Sequence, residues 1–109
     1  MLRYSKDTGS ISMVAKDTGD FVVNIDNYLL AEGDIVYFTV NTELEKENPL
    51  ISKEVKTFVD NKAVIRLTAE DTNLAIGTYL YDVQINTADG RVDTVLGPAK
   101  FKITGGVRV

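Results

Sequence analysis

Apolar residues recur at every second position along most of this chain. Phe21, Val23 and Ile25 show this spacing early in the sequence. The clearest later run is Tyr79, Tyr81, Val83 and Ile85. Because side chains of a strand point alternately to opposite faces, a period of two is typical of strands with one buried face. No helical period of useful length competes, so the sequence predicts an all-β fold.

Turn residues divide this pattern into about seven strand-like segments. The segments are residues 10–15, 21–26, 34–41, 52–59, 62–67, 78–86 and a last strand that ends near Ile103. Short strands with turns every 8 to 12 residues or so are typical of an immunoglobulin-like sandwich. We therefore expect one all-β domain over residues 1–109, an immunoglobulin-like antiparallel β-sandwich without a disulfide, in which 105–109 form a candidate linker.

Two tight turns are predicted from their residue types. Asp60-Asn61 separates the fourth and fifth segments, and both residues tolerate the left-handed conformation that a two-residue hairpin requires. Asp89-Gly90 follows the sixth segment and is a pair favoured in type I′ turns. The strand pairs that such a turn predicts are Ile85 with Thr94 and Val83 with Leu96.

The last strand changes the parity of its apolar positions. Leu96 is on the even positions that the hairpin register turns inward, whereas Phe101 and Ile103 are on odd positions. A period-two strand changes parity only through an extra residue. We expect a bulge or strand switch at Gly97-Pro98, because glycine and proline are the residues that such a break tolerates.

The segment before the sixth strand resembles a known structural corner. A single helical turn is predicted over residues 69–77, with Asp71 or Thr72 near its start, and Gly77 and Tyr79 lead into the strand. This arrangement is similar to the E-to-F corner of immunoglobulin-like domains, where a tyrosine hydroxyl bonds to the corner backbone. The resemblance implies that Tyr79 is the corner tyrosine, although the paired Cys and core Trp of antibody domains are absent.

A narrower resemblance covers the second half of the chain. The residues that carry it are Gly77-Thr78-Tyr79, the segments 81–85, 89–92, 94–97 and 101–103, and Val107. Together they resemble the immunoglobulin-like modules of phage and prophage baseplate upper proteins and tail proteins of Gram-positive bacteria. The resemblance implies a non-enzymatic structural module whose partners are other virion or assembly subunits, or a second copy of the chain.

The residue types exclude several kinds of chemistry. The 109 residues contain no His and no Cys, so we expect no Ser-His-Asp triad, thiol nucleophile or usual zinc or haem site. Three carboxylate groups remain, at Glu43/Glu45/Glu47, Glu70-Asp71 and Asp89/Asp93. Their spacing fits neither a glycosidase pair across a cleft nor a calcium loop. We expect solvated loops and turns there, no enzyme activity, no metal and no cofactor.

Charge and hydropathy indicate the kinds of partner. The formal net charge is −4, and Lys and Arg are scattered singly, which argues against nucleic acid. No apolar run approaches a membrane span, and the first residues contain no secretory signal. We expect a virion or bacterial cytoplasmic location, with the bacterial cell surface as the alternative.

One strand is apolar on both faces and suggests a contact surface. Val36, Phe38 and Val40 fit the core, which leaves Ile35 and Tyr37 on the outer face. We expect them to form an exposed apolar stripe together with two residues of neighbouring strands, Val22 and Leu80. Such a stripe marks a partner surface, unless a loop covers it.

Two alternative functions remain open. Tyr28 and Tyr37 are the candidate exposed aromatic platforms, and they would suit a carbohydrate- or surface-binding module that contacts a host-surface glycan. The other alternative is a phage capsid decoration protein.

Overall fold

The structure, a computed structural model, describes residues 2–26, 28–43 and 47–106. Within these residues the chain forms eight strands and no helix. The strands are β1 (Arg3–Tyr4), β2 (Ile11–Val14), β3 (Gly19–Asn24), β4 (Ile35–Asn41), β5 (Ile51–Val55), β6 (Lys62–Leu67), β7 (Gly77–Asn86) and β8 (Val92–Thr104). The all-β prediction is confirmed. The candidate linker at 105–109 lies mostly outside the described residues.

The strands form two sheets that curl into a half-barrel. The larger sheet has the order β1-β2-β8-β7-β4-β5, and the smaller sheet contains β3 and β6. Strands β2 and β8 are parallel, whereas the other neighbouring pairs are antiparallel. The predicted sandwich was antiparallel throughout, so the β2–β8 pair is a correction. It arises because β2 belongs to the same sheet as the last strand of the chain.

The core follows the predicted alternation. Phe21, Phe38, Tyr81 and Phe101 are buried, and their ring centroids lie 5.5 to 6.4 Å apart. Burial of one such ring contributes about 1.5–3 kcal/mol. The Tyr81 hydroxyl donates to the Gly9 carbonyl at 2.5 Å, and burial, with a smaller effect of nearby Tyr4, raises the pKa of Tyr81 to about 12. The inward aromatic residues therefore both fill the core and hold the turn before β2.

The Asp60-Asn61 turn forms, but it does not join two paired strands. Both residues have positive φ, +53° and +59°, as a type I′ turn requires. Val59 and Lys62 exchange backbone hydrogen bonds of 3.3 and 3.0 Å across the turn. The pairing stops there, because β5 ends at Val55 and lies in the larger sheet, whereas β6 lies in the smaller one. The chain uses residues 56–61 to cross between sheets.

The turn between β7 and β8 is longer than predicted. The Thr87 amide donates to the Arg91 carbonyl at 2.8 Å, and the Gly90 amide donates to the Thr87 carbonyl at 3.0 Å. Three residues, 88–90, therefore lie between Thr87 and Arg91, the pair that closes the turn. Gly90 has a φ of +96°, whereas Asp89 does not have a positive φ, and type I′ requires two such residues. The type I′ prediction is therefore wrong, because the turn is one residue longer than predicted. As a result, Ile85 pairs with Asp93 rather than with Thr94.

The predicted parity change at Gly97-Pro98 is confirmed. Tyr81 pairs with Ala99 and Val83 with Leu96, so β8 contains one extra residue between these pairs. Gly97 has a φ of +82°, and the peptide bond to Pro98 is cis. A Cβ atom on Gly97 would lie 2.6 Å from the Tyr81 carbonyl oxygen. A second extra residue lies between Leu96 and Thr94, and this shift was not predicted.

Gly97→Ala and Gly77→Ala test whether the bulge requires glycine. Gly97→Ala should lower the free energy of unfolding by about 3 kcal/mol, since it adds strain at positive φ and a clash with backbone. Gly77 has no atom within 4 Å of an added Cβ and no positive φ. Gly77→Ala should therefore change stability by less than about 1 kcal/mol. Urea unfolding measures both, and equal losses in the two variants would contradict the role of Gly97.

Candidate functional site

The predicted corner before β7 forms as expected. The Tyr79 hydroxyl donates to the Ala75 carbonyl at 2.6 Å, which is the bond of a corner tyrosine. Asp71 accepts from the Thr68 amide at 2.8 Å, and the Asp71 amide donates to the Thr68 hydroxyl at 3.1 Å. Lys53 Nζ lies 2.7 Å from Asp71 Oδ2. Burial raises the pKa of Asp71, but Lys53 and the Thr68 hydrogen bonds outweigh it, so the net pKa is lowered.

The rest of the corner follows the prediction only in part. The predicted single helical turn forms and is closed by the Thr72 amide, which donates to the Thr68 carbonyl at 3.2 Å. The Thr72 side chain is fully buried and donates to the Asp17 carbonyl at 2.7 Å, a contact that its predicted place at the start of the turn did not indicate. Gly77 lies in open space with an ordinary φ, so nothing in the structure requires glycine there. The corner therefore connects residues 68–79 to the segment around Asp17, at the end of the molecule where β7 begins.

The predicted apolar stripe is not continuous. Val22 is 48% exposed, but it lies on β3 in the smaller sheet, opposite Val64. Ile35, Tyr37 and Leu80 lie on the larger sheet. The four residues therefore do not share a face, and the grouping of Val22 with the others is wrong.

Polar residues also separate the three remaining members of the stripe from one another. Tyr37 lies between Gln84 and Glu54 in the cross-strand register, and Leu80 lies between Lys100 and Asn41. A row that contains Thr39 and Asp82 separates Tyr37 from Leu80. Ile35, Tyr37 and Leu80 are each half-buried. This face carries small apolar areas among polar groups rather than a partner-sized patch.

The opposite end of the molecule brings three loops together, and we call it the loop end. It contains residues 25–26 and 28–34 between β3 and β4, the turn 59–61 before β6, and residues 87–91 between β7 and β8. The strand register places them at one end, because Asn24 pairs with Lys62 and Asn86 pairs with both Ile35 and Val92. Binding residues are often found on loops that a rigid scaffold holds in place.

Asp34 joins two of these loops. Its carboxylate is buried, with 1% exposure, and accepts from the Ala31 amide at 2.9 Å and the Ala88 amide at 3.0 Å. The side chain of Tyr28 also interacts with it. The two backbone hydrogen bonds lower the pKa of Asp34, whereas the bond to Asp34 raises the pKa of Tyr28. The sequence indicated only a turn at Asp34, because its partner Ala88 is 54 positions away.

Asn61 joins the third loop to the first. Its side-chain amide donates to the Ile25 carbonyl at 2.5 Å and to the Tyr28 carbonyl at 2.8 Å, and its side-chain oxygen accepts from the Leu30 amide at 2.6 Å. One side chain thus satisfies three backbone groups of residues 25–30. The turn prediction identified Asn61 for its conformation but not for these bonds.

Two large apolar side chains project from the loop end. Leu29 is 81% exposed and Val59 is 73% exposed, the highest values among the exposed large apolar residues that the structure describes. Leu29 lies between Tyr28 and Leu30, whose backbone groups Asn61 holds, and Val59 belongs to the same turn as Asn61. Leu29 is therefore presented to solvent between residues whose backbone the Asn61 amide holds, and Val59 from a turn that its backbone hydrogen bonds with Lys62 close.

A cavity of about 450 Å³ opens beside the same loops. Its lining includes Tyr28, Arg91 and Asp93, and the last two form an ion pair at 3.3 Å. The other lining residues are Asn24, Ile25, Asp26, Ile85, Thr87, Thr94 and Val95. Asp89 accepts from the Thr87 hydroxyl, and this bond lowers the pKa of Asp89. The cavity therefore presents a cationic donor, Arg91, and anionic acceptors such as Asp93, and such a lining is able to bind a polar ligand.

The described residues contain no cluster of three or more acidic side chains that would hold a metal ion. Nor does any helix in the described part of the chain have the length and apolarity to cross a membrane. Of the three carboxylate groups, Asp71, Asp89 and Asp93 have structural partners, whereas Glu45 lies outside the described residues.

No protein-family model, curated protein or solved structure matches this chain.

Asn61→Gly tests whether the side-chain amide holds the loop end. Glycine keeps the positive φ and removes the three hydrogen bonds, so the free energy of unfolding should fall by about 2–3 kcal/mol. Asp60→Gly is the matched control, because Asp60 also has positive φ but is exposed. It should change stability by less than about 0.5 kcal/mol. Chemical denaturation of both variants decides the matter, and a neutral Asn61→Gly would refute the amide's role.

Asp34 should make the loop end sensitive to acid. Its pKa is lowered in the folded state, so its contribution to stability is complete above its unfolded value of about 3.9 and is lost as pH falls through the folded pKa. Asp71 and Asp89 act in the same direction. Burial raises the pKa of Asp82, so protonation of Asp82 opposes the trend.

Two measurements test the acid response. Urea unfolding between neutral and acid pH should show a smaller acid loss for Asp34→Asn than for the wild type. In the wild type, NMR shifts of the Ala31 and Ala88 amides should titrate below about pH 3.9. Titration of these amides at or above that value would contradict the assignment, whatever the stability of the variant.

Proposed function

We propose that this domain is a non-enzymatic assembly module that contacts a protein partner through its loop end. The observation that carries this proposal is the placement of Leu29 and Val59. They are highly exposed, they flank the Asn61 amide, and their backbone is held by hydrogen bonds. Apolar side chains on fixed backbone lose little conformational freedom on binding, which favours their use as contact residues.

The fold supports an immunoglobulin-like assignment as part of this proposal. The order β8-β7-β4 in one sheet, with β3 and β6 opposite, corresponds to strands G, F and C opposite B and E of such domains. The Tyr79 hydrogen bond corresponds to the corner tyrosine. The curled half-barrel and the parallel β2–β8 pair are the features that differ from the simplest two-sheet sandwich.

The proposed setting is a phage or prophage tail or baseplate, where the partner is another virion subunit or a second copy of the chain. This part rests on the sequence resemblance in residues 77–107, including the Asp89-Gly90 turn and the strand after it. The location that goes with it is the virion, or the cytoplasm of the bacterium before assembly. Position 107 lies outside the described residues.

A glycan-binding role is the second candidate, and the cavity beside Tyr28 favours it. Tyr28 lines this cavity with amide, carboxylate and guanidinium groups, which are able to bind sugar hydroxyls. The Tyr28 side chain interacts with Asp34 at its hydroxyl end, so the ring would be the part that contacts a sugar. Tyr37, the other predicted platform, is half-buried on the larger sheet between Gln84 and Glu54.

A Leu29→Ser/Val59→Ser variant tests the protein-contact proposal. Binding to subunits encoded by neighbouring genes, or self-association, should weaken at least about tenfold, since each side chain contributes about 1.5–3 kcal/mol when buried at a contact. Calorimetry and sedimentation measure the two cases.

Ile76→Ser is the matched control for this experiment. Ile76 is 70% exposed and precedes β7 at the other end of the molecule. The control should bind and associate like the wild type. Equal weakening by Ile76→Ser, or full binding by the double variant, would argue against the loop end as the contact. Saturable binding of oligosaccharides that is lost in Tyr28→Ala would favour the glycan alternative.

A further inference from the structure

A second recess lies on the larger sheet, far from the loop end, and we call it the β8 groove. It has a volume of about 710 Å³. Its lining includes three cationic residues, Arg3 on β1 and Lys100 and Lys102 on β8. The remaining lining residues are Tyr4, Ser5, Thr8, Ser10, Ile11, Ser12, Leu80, Pro98 and Ala99. No carboxylate is among the described residues that line it.

The strand register places the cations on one face. Arg3 pairs with Ser12, and Ser12 pairs with Lys102, so these three residues form a row across β1, β2 and β8. Lys100 lies two positions from Lys102, and strand geometry separates the Cα atoms of such residues by about 7 Å. The extra residue of β8 at Gly97-Pro98 turns both lysines to the outer face while Phe101 enters the core.

Hydrogen bonds hold one wall of the groove. The Gly9 amide donates to the Ser5 carbonyl at 2.8 Å, and the Ser5 amide donates to the Ser10 carbonyl at 2.9 Å. The buried Tyr81 hydroxyl donates to the Gly9 carbonyl. The backbone of the turn that carries Ser5, Thr8 and Ser10 is therefore attached to the core, and the Thr8 hydroxyl donates to the Ser10 hydroxyl at 2.9 Å.

The three cations have no acidic partner within the described chain. The ion pairs in the described part of the chain involve Lys53, Lys56, Arg66 and Arg91. None of them includes Arg3, Lys100 or Lys102. This arrangement is unexpected in a protein with a net charge of −4, because acidic side chains outnumber basic ones. A groove with ammonium, guanidinium and hydroxyl donors and without a carboxylate is complementary to oxyanions.

We infer that the β8 groove binds a polyvalent oxyanion, that is, a molecule that carries several phosphate or sulfate groups. A volume of about 710 Å³ is in the range of small-molecule sites, and three cationic side chains in the lining suit a highly charged anionic ligand. Arg3 would contact one anionic group in bidentate fashion, and Lys100 and Lys102 would contact groups about 7 Å apart. This site is independent of the loop end and of the protein partner proposed there.

Titration calorimetry with inorganic tripolyphosphate and with a dextran sulfate oligomer tests the inference. The protein is used as the full chain, and the test variant is Lys100→Gln/Lys102→Gln. The matched control is Lys56→Gln/Lys62→Gln, which changes the net charge equally at exposed positions outside the groove. Circular dichroism verifies that each variant keeps its strands.

The expected result is saturable one-to-one binding that weakens about tenfold or more in the groove variant and less than about twofold in the control. Binding should also weaken as salt concentration rises. Tighter binding of tripolyphosphate would identify phosphate as the ligand group, and tighter binding of dextran sulfate would identify sulfate. Equal weakening by both variants, or no saturable binding of either probe, would overturn the inference.

Discussion

The register change in β8 is the constraint on which the rest of the structure depends. From Val92 to Thr94 the strand follows the register of the hairpin, one extra residue precedes Leu96, and the residues from Val92 to Val95 are exposed. After Pro98 the strand has shifted, so that Phe101 and Ile103 enter the core. Without the extra residue at Gly97-Pro98, the Val83–Leu96 register would continue and Lys100 would lie opposite Tyr79 on the inner face. Turning the lysines inward has a cost that no core of this size offsets.

This change also positions the two surfaces that carry the proposals. The exposed first half of β8 forms part of the loop-end cavity through Thr94 and Val95. The second half presents Lys100 and Lys102 to the β8 groove. The loop end is then fixed by two polar side chains, Asp34 and Asn61, which bond to backbone groups far away in the sequence. Loops are ordinarily the less stable parts of a domain, and these bonds counter that tendency.

Local patterns predicted much of the fold. Alternation identified the core positions of the strands, and the unequal parity of Leu96 and Phe101 located the bulge, since both signals depend only on neighbours in the sequence. The turn before β8 was predicted one residue too short, because Asp89-Gly90 also suits a three-residue connection. Which sheet each strand joins was not predictable in the same way, and Val22 was therefore grouped with the wrong neighbours.

The loop end was harder to predict, because its residues become partners only through the fold. Asp34 and Ala88 are brought together by the pairing of β4 with β7, and Asn61 reaches Tyr28 only because the chain crosses between sheets. Single polar residues in turns are common, so neither side chain is distinctive in the sequence. The cations of the β8 groove are likewise scattered in sequence and converge only through the parallel β2–β8 pair.

Cross-strand NMR contacts between β7 and β8 test the register change most directly. Backbone proton contacts in the isotope-labelled protein should join Tyr81 to Ala99 and Val83 to Leu96. If β8 lacked the extra residue at Gly97-Pro98, the Val83–Leu96 register would continue and Tyr81 would lie opposite Pro98. Observation of a Tyr81–Pro98 contact in place of Tyr81–Ala99 would contradict the account, because Lys100 rather than Phe101 would then be on the inner face of β8.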